Sequence, residues 1–172
     1  ATGRMSQDGL AIRLARSVER FVYRRSAGIG VICDGFKRNL VSRNVPAEKI
    51  QLLQNSLDLE FMGIESKDNG FRLDNGIGAD EFLVMYSGSI ALKHGLTTFV
   101  DAAAEFAPEE GVMFSLVGEG PSRDDLLARA RGRNISNLRF LPLQPRESLP
   151  AQLGAANVLA ITQQKAVGPY NC

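Results

Sequence analysis

A chain of 172 residues, 44% apolar and 23% charged, is long enough for a domain with a real core and is neither disordered nor fibrous. Its net charge of +1 supplies no long-range attraction to nucleic acid or anionic lipid, and nucleic-acid binding is set aside on that ground. Cys33 and Cys172 stand far apart, outside any CxxC or Cys/His cluster; this argues against a disulfide framework or structural zinc and for a reducing, cytoplasmic setting.

In chain order, Leu10, Leu14, Val18, Phe21 and Val22 recur with helical spacing over residues 8–25 and predict a helix with one buried stripe. The interleaved Arg13, Arg16, Arg20, Arg24 and Arg25 are read as its solvated face, with an acidic membrane surface as the competing role. Residues 28–33 (GIGVIC) predict a short buried strand, and Phe36, Leu40 and Val41 a helix ending near Asn44. Residues 50–54 predict a second strand, and residues 63–80, rich in Gly, Asn and Asp, a polar linker.

From residue 81 onward strand and helix alternate. Phe82 to Tyr86 is an apolar, β-leaning run that breaks at Ser87-Gly88-Ser89; Leu96, Phe99, Val100, Ala103 and Ala107 then predict a helix over 96–107. Val112 to Val117 leads into Gly118-Glu119-Gly120-Pro121, followed by a helix through Leu126, Leu127 and Ala130 with Ser122 as its N-cap. Residues 138–143 predict a third strand with Pro142 at its exit, 146–155 a short helix and 158–162 a fourth strand. The alternation predicts an α/β fold with a parallel sheet, right-handed crossovers and flanking helices.

In such sheets ligands sit outside the carboxyl ends of the strands. The exits at Gly88, Gly118 to Gly120, Leu141-Pro142 and Thr162-Gln163 would therefore line one rim. A glycine after the first of these strands, with free N–H groups and a helix beyond it, suits an anion. The same glycine also serves merely to turn a chain. Lys93 and His94 could add positive or hydrogen-bonding groups for a diphosphate, against a plainly solvated Lys93. GxGxxG is absent after the first strand of this run and GxxxxGK[ST] is absent throughout; neither hydride transfer nor P-loop phosphoryl transfer has its usual signature. One histidine and no Gly-x-Ser-x-Gly elbow leave little for a serine hydrolase.

The order Glu19…Tyr23-Arg24-Arg25, VICDGFKRNL, VPAEKIQLLQNSLD, VMYSGSIALKHGL, FSLVGEGPSRDDL and NLRFLPLQPRESLPAQLGAANVLA resembles glycosyltransferase family 4 over residues 15–163. These are retaining enzymes with two facing Rossmann-like domains, the GT-B arrangement, and many build bacterial polysaccharides. The resemblance implies that residues 1–50 end the acceptor domain and that 51–172 are the first half of the donor-binding domain. It matches Gly88, Ser89 and Lys93 to the diphosphate site, with His94 beside them. Gly118 and Gly120 match the family's GxGP turn, and Leu141-Pro142 the turn by the nucleobase.

Three departures stand out. Many members carry Arg directly after the glycine matching Gly88 and Lys directly before the one matching Gly95, where this chain has Ser89 and His94, with Lys93 one step earlier. Asn55-Ser56-Leu57-Asp58 replaces the common Asn-Gly-Val-Asp. The later glutamate pair, seven residues apart, that grips the donor sugar and ribose is missing. With no initiator Met and an abrupt stop at Gly-Pro-Tyr-Asn-Cys, the chain is read as a piece of a longer protein.

The resemblance thus implies a nucleotide-diphosphate sugar donor and a saccharide or lipid-linked acceptor, with no metal or other cofactor. It implies a cytoplasmic enzyme peripherally associated with the inner face of the membrane. The competing class is a non-catalytic Rossmann-like nucleotide-binding or regulatory module, separable by whether the neighbouring coding sequence supplies the other domain and the glutamate pair.

Overall fold

The computed structural model describes residues 10–63 and 65–164. The chain divides into two compact units, whose described parts are 10–56 and 57–164. Residues 8 and 9 of the first predicted helix, and the terminal stretch with Cys172, lie outside the described residues.

The first unit contains helix α1 (Leu10–Arg25), strand β1 (Ile29–Val31), helix α2 (Asp34–Ser42) and strand β2 (Ile50–Leu52). β1 and β2 pair in parallel, Ile29 opposite Ile50. Val31, Leu40, Val45 and Ile50 form a small core, with Tyr23, Ile29 and Phe36 packed against it. The expected buried stripe of α1 is not found: no residue of the helix is buried, and Leu10, Leu14, Val18, Phe21 and Val22 are all exposed. Two three-residue strands make a small sheet beside a 16-residue helix, and among the described residues of that helix it is Tyr23 that packs against the core. Tyr23 Oη donates to Glu19 at 2.9 Å, and Arg43 pairs with the same carboxylate at 2.8 Å. Cys33 is disulfide-bonded, which corrects the reading against disulfides and removes the cysteine ground for a reducing compartment.

The second unit holds α3 (Gly70–Asp74), β3 (Phe82–Ser87), α4 (Thr97–Ala103), β4 (Val112–Val117), α5 (Arg123–Gly132), β5 (Leu138–Leu141), α6 (Leu149–Gly154) and β6 (Val158–Leu159). The four strands pair in parallel in the order β5-β4-β3-β6. Alternation along β3 sends Phe82, Val84 and Tyr86 to one face and Leu83, Met85 and Ser87 to the other. On the first face Tyr86, Phe114 and Leu116 pack with Leu96, Phe99, Val100 and Ala103 of the α4 segment and Leu126 and Ala130 of α5. On the second, Leu83, Met85, Met113 and Val117 pack with Phe71, Ile77 and Ala155 around α3 and α6.

α4 and α6 are shorter than the helices expected over 96–107 and 146–155, while α5 runs through Leu126, Leu127 and Ala130 as expected. β5 stops at Leu141 because Pro142 has no N–H for the ladder. Ser122 does precede α5, but its side chain makes no capping bond; its carbonyl accepts from Leu126 N–H.

Helix α3 lies inside the stretch expected to be a linker. Asn69 caps it by accepting from Phe71 N–H at 3.0 Å, while its amide donates to Ala151 O at 2.7 Å. The Asn-Gly pair that signalled a turn is in fact a helix start.

α4 and α5 are tied on the surface by Asp101, which accepts from Arg129 Nε at 2.8 Å and Arg133 Nη1 at 2.6 Å. The hydrogen bond from Arg129 is the main cause that holds this carboxyl below the ordinary aspartate range. A depressed carboxyl stabilises the fold above its unfolded pKa and loses that contribution as pH falls through its folded value. Asp101→Asn is expected to lower the melting temperature slightly at neutral pH and not at strongly acid pH, since exposed pairs contribute little. Melting curves at the two pH values check this; an equal shift at both would exclude the ion pair as the cause.

Candidate functional site

The strand order places the site. β4 and β5 extend the sheet on one side of β3 and β6 on the other, so the connections reverse direction between β3 and β6. At such a switch point the exit turns of neighbouring strands diverge and leave a crevice at the carboxyl edge. The exits of β3 at Gly88, β4 at Gly118 and β5 at Leu141-Pro142 lie side by side on that edge, stitched by Gly88 N–H to Val117 O (3.0 Å) and Gly118 N–H to Leu141 O (3.1 Å).

The two glycine turns are packed backbone against backbone. Gly88, Gly118 and Gly120 have φ of 154°, 140° and 156°. A β-carbon on Gly118 would overlap the Gly88 carbonyl, and one on Gly120 the Ile90 carbonyl. Ile90 N–H donates to Glu119 O (2.9 Å) and Ser122 N–H to Ile90 O (3.1 Å), completing the seam. Gly118 and Gly120 are thus required by the neighbouring turn. At Gly88 a β-carbon would meet the Tyr86 side chain from 3.3 Å, a tighter fit than most side chains accept. The Gly88 N–H, expected among the donors for an anion, is taken by Val117; the Ser89 N–H has no acceptor among the described residues.

Beyond Ser89 the chain makes a 3-10 turn, Leu92–His94, ending on Gly95 at φ 61°, before α4 begins at Thr97. The turn is anchored across the switch point: Thr162 Oγ1 donates to His94 O at 2.5 Å and Gln164 N–H to Lys93 O at 3.1 Å. Lys93 is exposed, with no hydrogen bond or ion pair from its side chain among the described residues. His94 is half-buried, its Nδ1 2.5 Å from Ser89 O and 3.1 Å from Tyr86 Oη. Burial raises the Tyr86 phenol above its ordinary range, so it remains an O–H donor, and it donates to Ser89 O at 2.8 Å. From the opposite face of the sheet, buried Gln152 donates to Ser87 Oγ at 2.6 Å.

The structure therefore brings Gly88, Ser89, Lys93, His94, Gly118 and Gly120 together at one edge, with Leu141 and Pro142 beside them at the next strand exit. Gln144 Nε2 donates to Pro142 O at 2.9 Å and folds that exit back on itself. The basic group near the GxGP turn is Arg123, which lies 3.7 Å from Glu119 and 5.9 Å from the Phe140 ring centre, its buried Nε making no hydrogen bond among the described residues. Lys93 and His94 are left as the cationic candidates of the β3 turn. Sequence reasoning placed Thr162 on this rim without its bond to His94, and missed Tyr86 as part of the turn. Tyr86 carried one signal, a phenol at the end of an inward-facing strand row, where its polar tip must find a partner.

No family model matches the chain. It is 25% identical over 159 residues to WcaI of Escherichia coli, described as a putative colanic acid biosynthesis glycosyl transferase; the match takes in 91% of this chain and 39% of that protein. It is 28% identical over 124 residues to the alpha-D-kanosaminyltransferase of Streptomyces kanamyceticus, 69% of this chain and 32% of the relative. The chain thus spans well under half the length of these relatives. Among solved structures, HepE of Anabaena in complex with UDP and glucose superposes with a TM-score of 0.74 at 18% identity, over 95% of this chain and 44% of that one. The relatives and structural neighbours are GT-B glycosyltransferases, and the α/β fold with parallel sheets and flanking helices is that of their carboxyl-terminal domains.

Proposed function

We propose that this chain carries the front half of the donor-binding domain of a retaining family 4 glycosyltransferase, preceded by the end of its acceptor domain near residue 50. The observation that carries the reading is the β3 exit turn at the switch point. There an N–H without an acceptor among the described residues, an exposed lysine and a histidine share the edge where such sheets bind ligands. The transferase relatives and the UDP bound to the HepE fold support the same assignment.

In the intact enzyme the donor is a nucleotide-diphosphate sugar, and the acceptor a saccharide or lipid-linked saccharide. When the sugar leaves, negative charge gathers on the departing diphosphate. Lys93, His94 and the Ser89 N–H stabilise it without reorganising, because the turn is already fixed by its neighbours. Leu141 and Pro142 border the base. The work is cytoplasmic, at the inner face of the membrane. That placement now rests on where nucleotide sugars are supplied rather than on cysteine usage. Among the described residues no helix is long and apolar enough to cross a membrane.

Calorimetric titration of UDP, GDP and ADP into the full-length enzyme tests the reading. One of the three is expected to bind, and Lys93→Ala to weaken it by about one to two decades, the loss of a charge-assisted contact. Unchanged affinity in the variant would remove Lys93 from the site and leave His94 as the cation that faces the diphosphate.

A further inference from the structure

The Tyr86 hydroxyl has no role in that reading, yet it lies where the shape of the turn is decided. Tyr86 ends the α4-facing row of β3, 7% exposed. The Ser89 carbonyl above it is held from two sides, by Tyr86 O–H at 2.8 Å and by His94 Nδ1 at 2.5 Å. A carbonyl can only accept, so Nδ1 carries the ring proton and Nε2 is the nitrogen left over. The same peptide is fixed at its other end, where Ile90 N–H donates to Glu119 O. Thr162 holds the His94 backbone from beyond β6. The Tyr86 oxygen touches both movable parts, the carbonyl and, at 3.1 Å, the ring.

We propose that Tyr86 is a positioning residue for donor binding: through the Ser89 carbonyl it fixes the β3 exit turn and orients His94 so that Nε2 is the ring atom offered to the diphosphate. The proposal rests on the donor-site reading above. On binding, Nε2 takes a proton from solvent and donates a hydrogen bond as N–H to a phosphate oxygen, while Nδ1 keeps its own proton and goes on donating to the Ser89 carbonyl. Of the groups placed against the ring, Tyr86 from β3 is titratable and stays protonated by burial. Lys93 precedes His94 in the turn, exposed, and among the described residues the stretch after β6 brings Thr162 and Gln164, which carry no charge.

The test uses imidazole nitrogen resonances of the full-length protein, the His94 signals being those lost in His94→Gln. The free protein is expected to show the Nδ1–H tautomer, and added UDP to protonate Nε2. Tyr86→Phe keeps the ring and removes only the hydroxyl. It should mix the tautomers and weaken UDP about tenfold, with an unfolding midpoint near that of the wild type. His94→Gln, whose amide nitrogen falls near Nε2, should retain more binding than His94→Asn, whose amide falls near Nδ1. An Nε2–H tautomer in the free protein overturns the proposal, as does the better binding by Asn. Undiminished UDP affinity in Tyr86→Phe overturns it alone and leaves the donor reading standing. A wild type that binds none of UDP, GDP and ADP overturns the donor reading and this proposal with it.

Discussion

Gly118→Ala is expected to lower the stability of the second unit by about 3 kcal/mol or more and to abolish nucleoside diphosphate binding. Two costs combine. An alanine at φ 140° sits where L-residues are rarely found, a strain of roughly 1 to 3 kcal/mol. Its β-carbon would also overlap the Gly88 carbonyl, and overpacking against backbone adds about 1 to 3 kcal/mol more because backbone has no alternative rotamer. Relief must come from moving the Gly88 turn, which carries Ser89 and, through its carbonyl, His94. The defect in binding therefore accompanies the defect in stability. Gly111→Ala is the control: φ is 67° there but nothing lies within 4 Å of a β-carbon, so only the conformational cost of about 1 kcal/mol remains and binding is untouched. Urea unfolding and UDP titration of both variants decide the matter. Equal behaviour of the two would mean that the seam between the β3 and β4 exits yields freely and that the glycine serves the turn alone.

Arg72→Met is the second large effect, expected to cost about 3 kcal/mol of stability while leaving the affinity of the folded protein for UDP unchanged. Arg72 is 2% exposed and has no carboxylate partner among the described residues; its guanidinium donates instead to Ala155 O (2.9 Å), Gly78 O (2.5 Å), Glu81 O (3.2 Å) and Asn157 Oδ1 (3.0 Å). Asn157 in turn accepts from Leu83 N–H at 2.9 Å, so one side chain ties α3, the start of β3 and the entry to β6. Methionine fills much of the volume but strands the Ala155, Gly78 and Glu81 carbonyls without the guanidinium donor, while Asn157 Oδ1 keeps the Leu83 N–H, and each buried acceptor left unpaired costs on the order of 1 to 3 kcal/mol before relaxation. The knot lies at the amino edge of the strands, opposite the Gly88 turn, which is why function should survive at temperatures where the variant stays folded. A denaturation midpoint equal to that of the wild type would show that water replaces the guanidinium without cost.

The two variants divide the unit into an edge that binds and an edge that holds, and the sequence spoke unevenly about them. Phe82 to Tyr86 and Val112 to Val117 were legible as strands because a run of apolar residues ended by glycine reports its own environment. The rim of strand exits followed from alternation alone, since parallel strands must all leave the sheet at the same edge. Arg72 was illegible. Asn69-Gly70 signals a turn, α3 has only five residues, and an arginine in a stretch dominated by Gly, Asn and Asp reads as solvated, even between Phe71 and Leu73, until its carbonyl partners, dispersed from Gly78 to Ala155, are folded around it. The stripe of α1 misled in the opposite sense, for periodicity shows that a helix has an apolar face and not that anything covers it.

What the sequence by itself determined was therefore the set of elements from β3 onward, their parallel pairing and the glycines at the strand exits. These are properties of short windows, in which each residue's preference is set by its immediate neighbours along the chain. What only the tertiary structure decided was the use of those glycines. Gly118 and Gly120 answer to the carbonyls of Gly88 and Ile90, the Gly88 N–H is spent on Val117, and the Ser89 carbonyl is shared by Tyr86 and His94. Hydrogen bonds and close backbone approaches between turns are made by residues distant in sequence, and no local preference records which partner the fold will bring.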